Sequence, residues 1–443
     1  MKLPFKAYDV RGIYDDTLTE DLTERIGAAV AHYLDEDPIV IGFDARQSSP
    51  SLRDALVNGL KDYGSDVIDI RQCTSPELYW AVNAFDAAGG VMITASHNPP
   101  EYNGLKLCRA NAEPIDAETG LKDIYDLTHD LPEQPGSQGR YRHVETRDEY
   151  VSFIQSLVNA DALNEQHIVF DAGNGVAGPT VKQVYAELPI KHDNLCMDPD
   201  SSFPNHDPNP MEPENTETLR NHVVEAEADA GFAWDGDGDR FFLVDDNGKF
   251  VSPDVLYAFF AERYLSGNPG PIVKSALCGQ VVDDVANRND VALGVSRVGH
   301  GFVKRAFNEN DAVLAGEHSG HYYFQETHGC DDGIAASLLT YAVLSDLDQP
   351  VSDALDKYRA YVKSGEQNFE VDDRDAAIQR ILDKYGDKEI ERVDGVTVHL
   401  DKNTWFNVRK SNSEPLVRLN AEGMDTGTVN DIIDEAEHII RDN

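Results

Sequence analysis

Asp235, Asp237 and Asp239 alternate with glycines in the stretch DGDGDR, and Arg240 closes it. Glycine lets a backbone turn sharply, so three carboxylates at this spacing can face one centre. Three carboxylate oxygens plus an outside ligand suit a hard cation such as Mg²⁺. An EF-hand loop would need Gly at its sixth position and Glu at its twelfth; Arg240 and Asp246 stand there instead. An arginine beside three acids makes sense where an anion also binds, and metal plus arginine is the equipment of phosphoryl transfer. Ser96, with His97 beside it, ends the apolar run in GGVMITASHNPPEYNGLK. A hydroxyl at a strand tip, backed by the amides of a following turn, can accept a phosphoryl group. Taken singly, Ser96 also reads as a capping serine and His97 as a structural histidine. No GxSxG elbow surrounds Ser96, which disfavours a serine hydrolase.

Other polar clusters recur along the chain. YDVRG sets Tyr8 and Arg11 on a loop, and GEHSGH offers Glu317, Ser319 and His321 between glycines. A carboxylate and a hydroxyl at that spacing could grip vicinal sugar hydroxyls. RKSNSEP with Arg418 gathers arginines, a lysine and small donors into a cradle for a dianion. His300 and Lys304 in RVGHGFVK and Lys274 in PIVKSA are weaker signals, because a single lysine is more often solvated.

These clusters need a scaffold, and the chain supplies one. PIVIGFD (38–44), GGVMITASH (89–97), HIVFDAGNG (167–175) and AGFAWDGDGDR (230–240) each run apolar and break into polar or glycine residues. Amphipathic stretches such as SLRDALVNGLKDYG (51–64) lie between them. This alternation predicts α/β domains with mixed or parallel sheets, whose ligands collect at the carboxyl ends of the strands. LPEQPGSQG (131–139) and SGNPGP (266–271) read as connecting segments, and composition shifts again at 364–377. Beyond that shift, DGVTVHLD, NTWFNVRKS and EPLVRLNAEG predict a small sheet with one or two helices, an α+β terminal domain.

With 443 residues, three or four domains are expected. The balance of 80 Asp and Glu against 38 Lys and Arg gives a net charge of -42, which argues against nucleic acid as a partner. So acidic a folded chain is expected to work in high salt, as a halophilic protein, where screening relieves self-repulsion. No apolar run is long enough to span a membrane. Neither a secretory signal nor CxxC spacing is found, so reduced thiols and a cytoplasmic location are expected rather than disulfides or a zinc site.

Together and in this order, TASHNP, DGDGDR, GEHSGH and SNSEP resemble the α-D-phosphohexomutases, within them the phosphomannomutase/phosphoglucomutase branch. The likeness runs from FKAYDVRG to EPLVRLNAEG. It implies a heart-shaped molecule with four domains around one cleft. Residues 1–142 would bear a phosphoserine, 143–250 the metal, 251–362 the sugar-binding loop and 363–443 a phosphate site. By this resemblance Ser96 carries the phosphate, and Asp235, Asp237 and Asp239 with the phosphoserine oxygen hold Mg²⁺. Arg240 lies near that phosphate. Tyr8, Arg11, His97, Lys106, Lys274 and His300 surround the phosphoserine and sugar. Glu317 and Ser319 bind sugar hydroxyls with His321 nearby, and Arg409, Ser411, Asn412, Ser413 and Arg418 bind the distal phosphate.

The implied reaction is reversible transfer between C1 and C6 of a hexose phosphate through a hexose 1,6-bisphosphate, which also serves as activator. His97, Lys106 and His321 are all candidates for the general base. Gripping O3 and O4 does not separate glucose from mannose, so use of both is expected. His318 departs from the Met frequent in this branch and the Gln frequent in the phosphoglucosamine branch, which leaves the preference at C2 partly open. Phosphoglucosamine mutase is the alternative. A Mg-dependent phosphatase would not need the distal cradle, and a non-catalytic sensor would not need an intact Ser96 and aspartate triad.

Overall fold

Ile39–Phe43 and Gly89–Ile93 are buried at every position, as expected of parallel strands covered on both faces. They form the centre of the first sheet in a computed structural model that describes residues 4–131, 133–134, 136–411 and 416–441. The chain divides into two compact units, residues 1–251 with 319–352, and 252–318 with 353–443.

In the first unit, the first sheet runs Val10–Ile13, Tyr102–Arg109, Gly89–Ile93, Ile39–Phe43, Val67–Gln72 and Tyr141–His143. The last four are parallel to one another, and the first two are antiparallel to their neighbours. Helices Glu20–Leu34 and Ser49–Asp62 cover one face, with Ile26, Val30, Leu52 and Leu56 fully buried against it. They approach so closely that a Cβ on Gly59 would lie 1.9 Å from the Glu24 carbonyl oxygen. Helix Ser75–Ala84 covers the other face, capped by the Thr74 hydroxyl, which accepts from the Glu77 amide at 3.1 Å. The strand Tyr141–His143 follows the expected linker and runs across the boundary expected between residues 142 and 143.

The second sheet is ordered Phe250–Val251, Phe241–Asp245, Ala230–Trp234, Gln166–Asp171, Ile190–Leu195. Its last three strands are parallel. Helix Gly333–Ser345, apolar nearly all round, also folds with this unit although it follows the third sheet in sequence. Such a helix needs cover on every side. Trp234 Nε1 donates to the Gly333 carbonyl at 3.1 Å, and the Tyr185 hydroxyl donates to Ser337 Oγ at 3.0 Å.

In the second unit, Leu293–Ser296, Ile272–Ser275 and Leu314–Gly316 are parallel. The last sheet is antiparallel and pairs Leu416–Gly423 with Val362–Lys363, Gln367–Glu370 and Thr404–Lys410. Helices Arg374–Lys384 and Thr426–Arg441 bury Ile381, Val429 and Ile440 against its Phe406, Val408 and Leu419. The expected α/β class with an α+β C-terminal domain is what the four sheets show. A buried network ties the two parts of this unit together. Asp254 Oδ2 accepts from the Gly279 amide at 2.9 Å and from Lys363 Nζ at 2.7 Å. Glu422 Oε1 accepts from the Gln280 amide at 2.8 Å and from Trp405 Nε1 at 2.9 Å.

Candidate active site

Ser96 sits just past the carboxyl end of the central strand Gly89–Ile93, 2% exposed and with φ of 50°. A non-glycine residue in this left-handed region is held there by its surroundings. Its amide donates to Thr94 Oγ1 at 2.8 Å. Arg46, fully buried, supplies most of the rest. Its Nη2 donates to the carbonyls of Ser96 (2.8 Å) and Asn98 (2.6 Å), and its Nη1 to those of Pro99 (2.6 Å) and Tyr102 (3.0 Å). Asp44 holds Arg46 Nε at 3.0 Å. Sequence reasoning missed Arg46; the signal was the pair Asp44 and Arg46 at the end of the strand Ile39–Phe43.

Asp235, Asp237 and Asp239 occupy the tight loop between the paired strands Ala230–Trp234 and Phe241–Asp245. Gly238 turns it with φ of 76°, and a Cβ on Gly236 would lie 2.4 Å from the Ser96 carbonyl oxygen. The two loops therefore press against each other. Ser96 Oγ donates to Asp235 Oδ2 at 2.7 Å. Ser75 Oγ donates to Asp237 Oδ2 at 2.6 Å, and Lys106 Nζ bridges Asp237 (2.6 Å) and Asp239 (2.5 Å). Arg240 Nη2 donates to His97 Nδ1 at 2.5 Å, and that nitrogen lies 3.1 Å from Ser96 Oγ. Guanidinium only donates, so His97 Nδ1 is the acceptor and a neutral ring carries its proton on Nε2. Arg11 Nη1 donates to Asn98 Oδ1 at 2.6 Å while its Nη2 pairs with Asp9. Tyr8 lies half-buried in the bend just before the strand Val10–Ile13, and Arg11 lies within that strand rather than on the loop expected from the sequence. His321 pairs across a bridge with Arg240, its Nε2 3.5 Å from Asp239 Oδ1 and 3.8 Å from Asp331 Oδ2. Ser319 Oγ lies 3.0 Å from His321 Nδ1.

Burial, then Arg240 and Arg11, push the His97 pKa well below its usual value. Burial works against the Lys106 charge, but Asp237 and Asp239 outweigh it and keep the ammonium charged. Burial, then Asp239 and Asp237, push Asp235 up to about 7.

The three aspartates fit a divalent cation. Their ligand oxygens lie within 4.8 Å of one another, all three residues are buried, and Asp237 Oδ1 has no hydrogen-bond partner. All-oxygen, anionic donors suit Mg²⁺.

The second unit holds the remaining candidates in two groups. Glu317, buried, accepts from the Gly299 amide at 3.2 Å, next to His300 at the start of helix His300–Glu309. Lys274 is ion-paired with Asp283, Lys304 lies buried in the helix that His300 begins, and His318 Nδ1 lies 3.4 Å from Ser275 Oγ. Arg409 and Arg418 face each other on adjacent strands, a pairing of like charges that is unfavourable by itself. Glu366 relieves it, one oxygen 2.7 Å from Arg409 Nη2 and the other 3.0 Å from Arg418 Nη1. The Ser411 amide donates to the Leu416 carbonyl at 2.9 Å, and Arg374 Nη1 donates to the Ser411 carbonyl at 2.9 Å. Asn412 and Ser413 lie outside the described residues.

Models of the phosphoglucomutase/phosphomannomutase family match the chain in sequence. Alpha/beta/alpha domains I, II and III match residues 2–134, 148–248 and 252–361, and the C-terminal domain matches 366–439. The chain is 40% identical to the phosphohexose mutases of Xanthomonas campestris over 430 residues, 95% of either chain. It is 37% identical to a phosphomannomutase of Escherichia coli K12 over 432 residues, 94% of either. The crystal structure of a phosphoglucomutase/phosphomannomutase family protein from Burkholderia thailandensis superposes with a TM-score of 0.91 at 31% identity, covering 99% of this chain and 97% of that one.

Proposed function

From the premise that this chain belongs to the phosphoglucomutase/phosphomannomutase family and is a mutase enzyme, we propose that it moves a phosphoryl group between C1 and C6 of mannose and glucose phosphates. The observation that carries the reading is the buried contact of Ser96 Oγ with Asp235, beside two further aspartates, Arg240 and Lys106. A hydroxyl so placed can carry a phosphoryl group whose charge has partners ready for it.

Asp235, Asp237 and Asp239, with an oxygen of phosphorylated Ser96, would hold Mg²⁺, which neutralises charge on the group in flight. Arg240 adds a donor at the same group. Phospho-Ser96 gives its phosphoryl group to the free hydroxyl of a hexose monophosphate, whose proton passes to a base. The P–O bond to Ser96 breaks as the bond to the sugar oxygen forms. The bisphosphate turns over, and its other phosphate returns to Ser96. Lys106 is an ammonium between two carboxylates, and the His97 Nδ1 lone pair is already taken by Arg240 in a ring whose pKa is depressed, so of the three candidates His321 is the readier proton acceptor. Glu317 and Ser319 bind sugar hydroxyls in this reading. Arg409, Ser411 and Arg418 bind the phosphate that is not reacting, together with Asn412 and Ser413, and Tyr8, Arg11, Lys274 and His300 complete the substrate contacts.

The test is a coupled assay with Mg²⁺, molar KCl and a trace of glucose 1,6-bisphosphate, comparing the 1-phosphates of mannose, glucose and glucosamine. Comparable rates on the first two are expected. A clear preference for glucosamine 1-phosphate would keep the chemistry and reassign the substrate.

A further inference from the structure

Asp171, Cys196 and His206 come from three separate segments, and their oxygen, sulfur and nitrogen donor atoms lie within 4.8 Å of one another. Asp171 ends the strand Gln166–Asp171, and Cys196 follows directly after the neighbouring parallel strand Ile190–Leu195, whose last residue is paired with Asp171. His206 arrives from the loop that follows. The position is the carboxyl end of a parallel sheet, where ligands gather. Asp171 is buried, and Cys196 and His206 are half-buried, so the cluster stays open to solvent on one side.

The hydrogen bonds leave a specific requirement at the centre. His206 Nδ1 lies 2.9 Å from the Asp207 carbonyl oxygen, which can only accept, so Nδ1 carries hydrogen. His206 Nε2 faces the Asp171 carboxylate, 3.3 Å from Oδ1 and 3.2 Å from Oδ2. A carboxylate also only accepts, so something positive must stand between them, a proton or a metal ion. Asp171 Oδ1 has a second partner in the Gly173 amide at 2.9 Å, while the hydrogen bonds described for Oδ2 come from His206 alone. An imidazole whose outer nitrogen donates to a backbone carbonyl is how metal-binding histidines are oriented.

We propose that Asp171, Cys196 and His206 form a site for a borderline-soft divalent cation of the zinc class, separate from the aspartate triad. A tetrahedral zinc ion with nitrogen, oxygen and sulfur ligands sets its donors about 3.3–3.6 Å apart. The Asp171–His206 pair is already at 3.2 Å, and the thiol has to close by about 1.5 Å at most. Mixed N, O and S donors favour zinc over magnesium, the reverse of the all-oxygen triad. Binding balances in charge. Metal–oxygen, metal–sulfur and metal–nitrogen bonds form, the S–H bond of Cys196 and the Nε2–H bond of His206 break, and two protons leave to solvent as one divalent cation enters beside the Asp171 carboxylate. Three protein ligands leave a fourth position for water. No two of its ligands stand at a metal-motif spacing, so local residue order does not reveal the site.

The consequence is local. The same loop places Pro208 Cβ 3.4 Å from where a Cβ on Gly236 would lie, so a metal on His206 fastens a segment packed against the aspartate loop.

The experiment titrates Co²⁺ into the full-length protein, with Mg²⁺ in excess to saturate the aspartate triad. One equivalent of Co²⁺ should produce a near-ultraviolet thiolate-to-cobalt charge-transfer band and the intense visible bands of tetrahedral cobalt. Cys196→Ser should abolish the charge-transfer band, and His206→Gln should weaken Co²⁺ binding about tenfold or more. Zn²⁺ should displace the cobalt, raise the thermal midpoint of the wild type and slow alkylation of Cys196 by iodoacetamide, read by peptide mass mapping. The wild-type spectrum and the alkylation rate need no variant, so misfolding of a variant cannot mask the outcome. A wild-type titration without a thiolate band, or a band unchanged in Cys196→Ser, overturns the proposal. Neither readout depends on mutase turnover.

Discussion

The two ends of the proposed reaction are built on opposite plans. Around Ser96 the serine, the aspartates and the arginine that anchors the loop are buried, while His97 and Arg240 at its edge are half-buried. Ser96 is 2% exposed, Asp235 and Asp237 are 0% exposed, and one fully buried arginine holds four carbonyls of the loop. Around Arg409 and Arg418 the groups are looser. The Arg418 side chain is 25% exposed and that of Glu366 31%, with one carboxylate shared between two guanidinium groups. Chemistry at a phosphorus atom gains from fixed dipoles that need not reorganise. A cradle that must take the 1-phosphate in one half-reaction and the 6-phosphate in the other gains from donors that can re-aim. In the proposed reaction this contrast would divide the labour: rigidity at the transferring group, adaptability at the resting one.

Ser96→Ala should break the first half outright. Turnover is expected to fall on the order of a thousandfold or more, while binding of the sugar phosphate survives. Near-wild-type turnover in the assay would remove Ser96 from the chemistry and the rigid half from the comparison.

The looser half should answer in binding. Arg418→Ala removes a charge-assisted donor and is expected to raise KM about tenfold to a hundredfold. Escape of the bisphosphate into solution should rise with it, measured by its ability to activate a second mutase. If neither KM nor escape changes, Arg418 is not a phosphate ligand. Glu366→Gln should act in the opposite direction and by less. The wild-type carboxylate pairs with both arginines, so a phosphate arriving at the proposed cradle would compete with it. Removing its charge is expected to lower KM a few-fold and to strengthen inhibition by inorganic phosphate, with kcat less affected. A KM that rises in Glu366→Gln would mean that Glu366 only positions the arginines.

What could be read from the sequence follows the same division. The loops at strand ends, DGDGDR and TASHNP, were legible because local residue order alone sets their chemistry. The parallel strands were legible from their unbroken apolar runs, and the antiparallel C-terminal sheet from its alternation. Contacts between distant segments were not. Arg46 looks like an ordinary surface arginine until the loop 96–102 folds over it. Glu366 stands 43 residues from Arg409 in sequence, and no local pattern links them. Helix Gly333–Ser345 is apolar enough to need cover on all sides, but the sequence does not say which sheet provides it.

The smallest expected effect separates the scaffolds behind the two sites. Glu77 lies in helix Ser75–Ala84, whose first residue donates to Asp237. Its Oε1 accepts from Thr146 Oγ1 at 2.7 Å, but its Oε2 is buried without a hydrogen-bond partner. Burial pushes this carboxyl from 4.5 up to about 7. In the second unit, Asp254 is equally buried, yet Lys363 and its other donors hold it well below the usual carboxylate range. A carboxyl raised on folding keeps its proton in the native state after the unfolded chain has lost it. Stability is then lost as pH climbs from about 4.5 to about 7, by at most about 3 kcal/mol for Glu77. Asp254, depressed on folding, contributes fully across the same window and adds no slope there. Glu77→Gln keeps an acceptor for Thr146 and cannot ionise, so its stability, from denaturant unfolding at a series of pH values, should fall less over that window. Parallel curves for variant and wild type would show that Glu77 is ionised in the native state, with Arg147, whose nearby charge opposes the effect of burial on Glu77, as the compensating charge, and would make the two scaffolds alike.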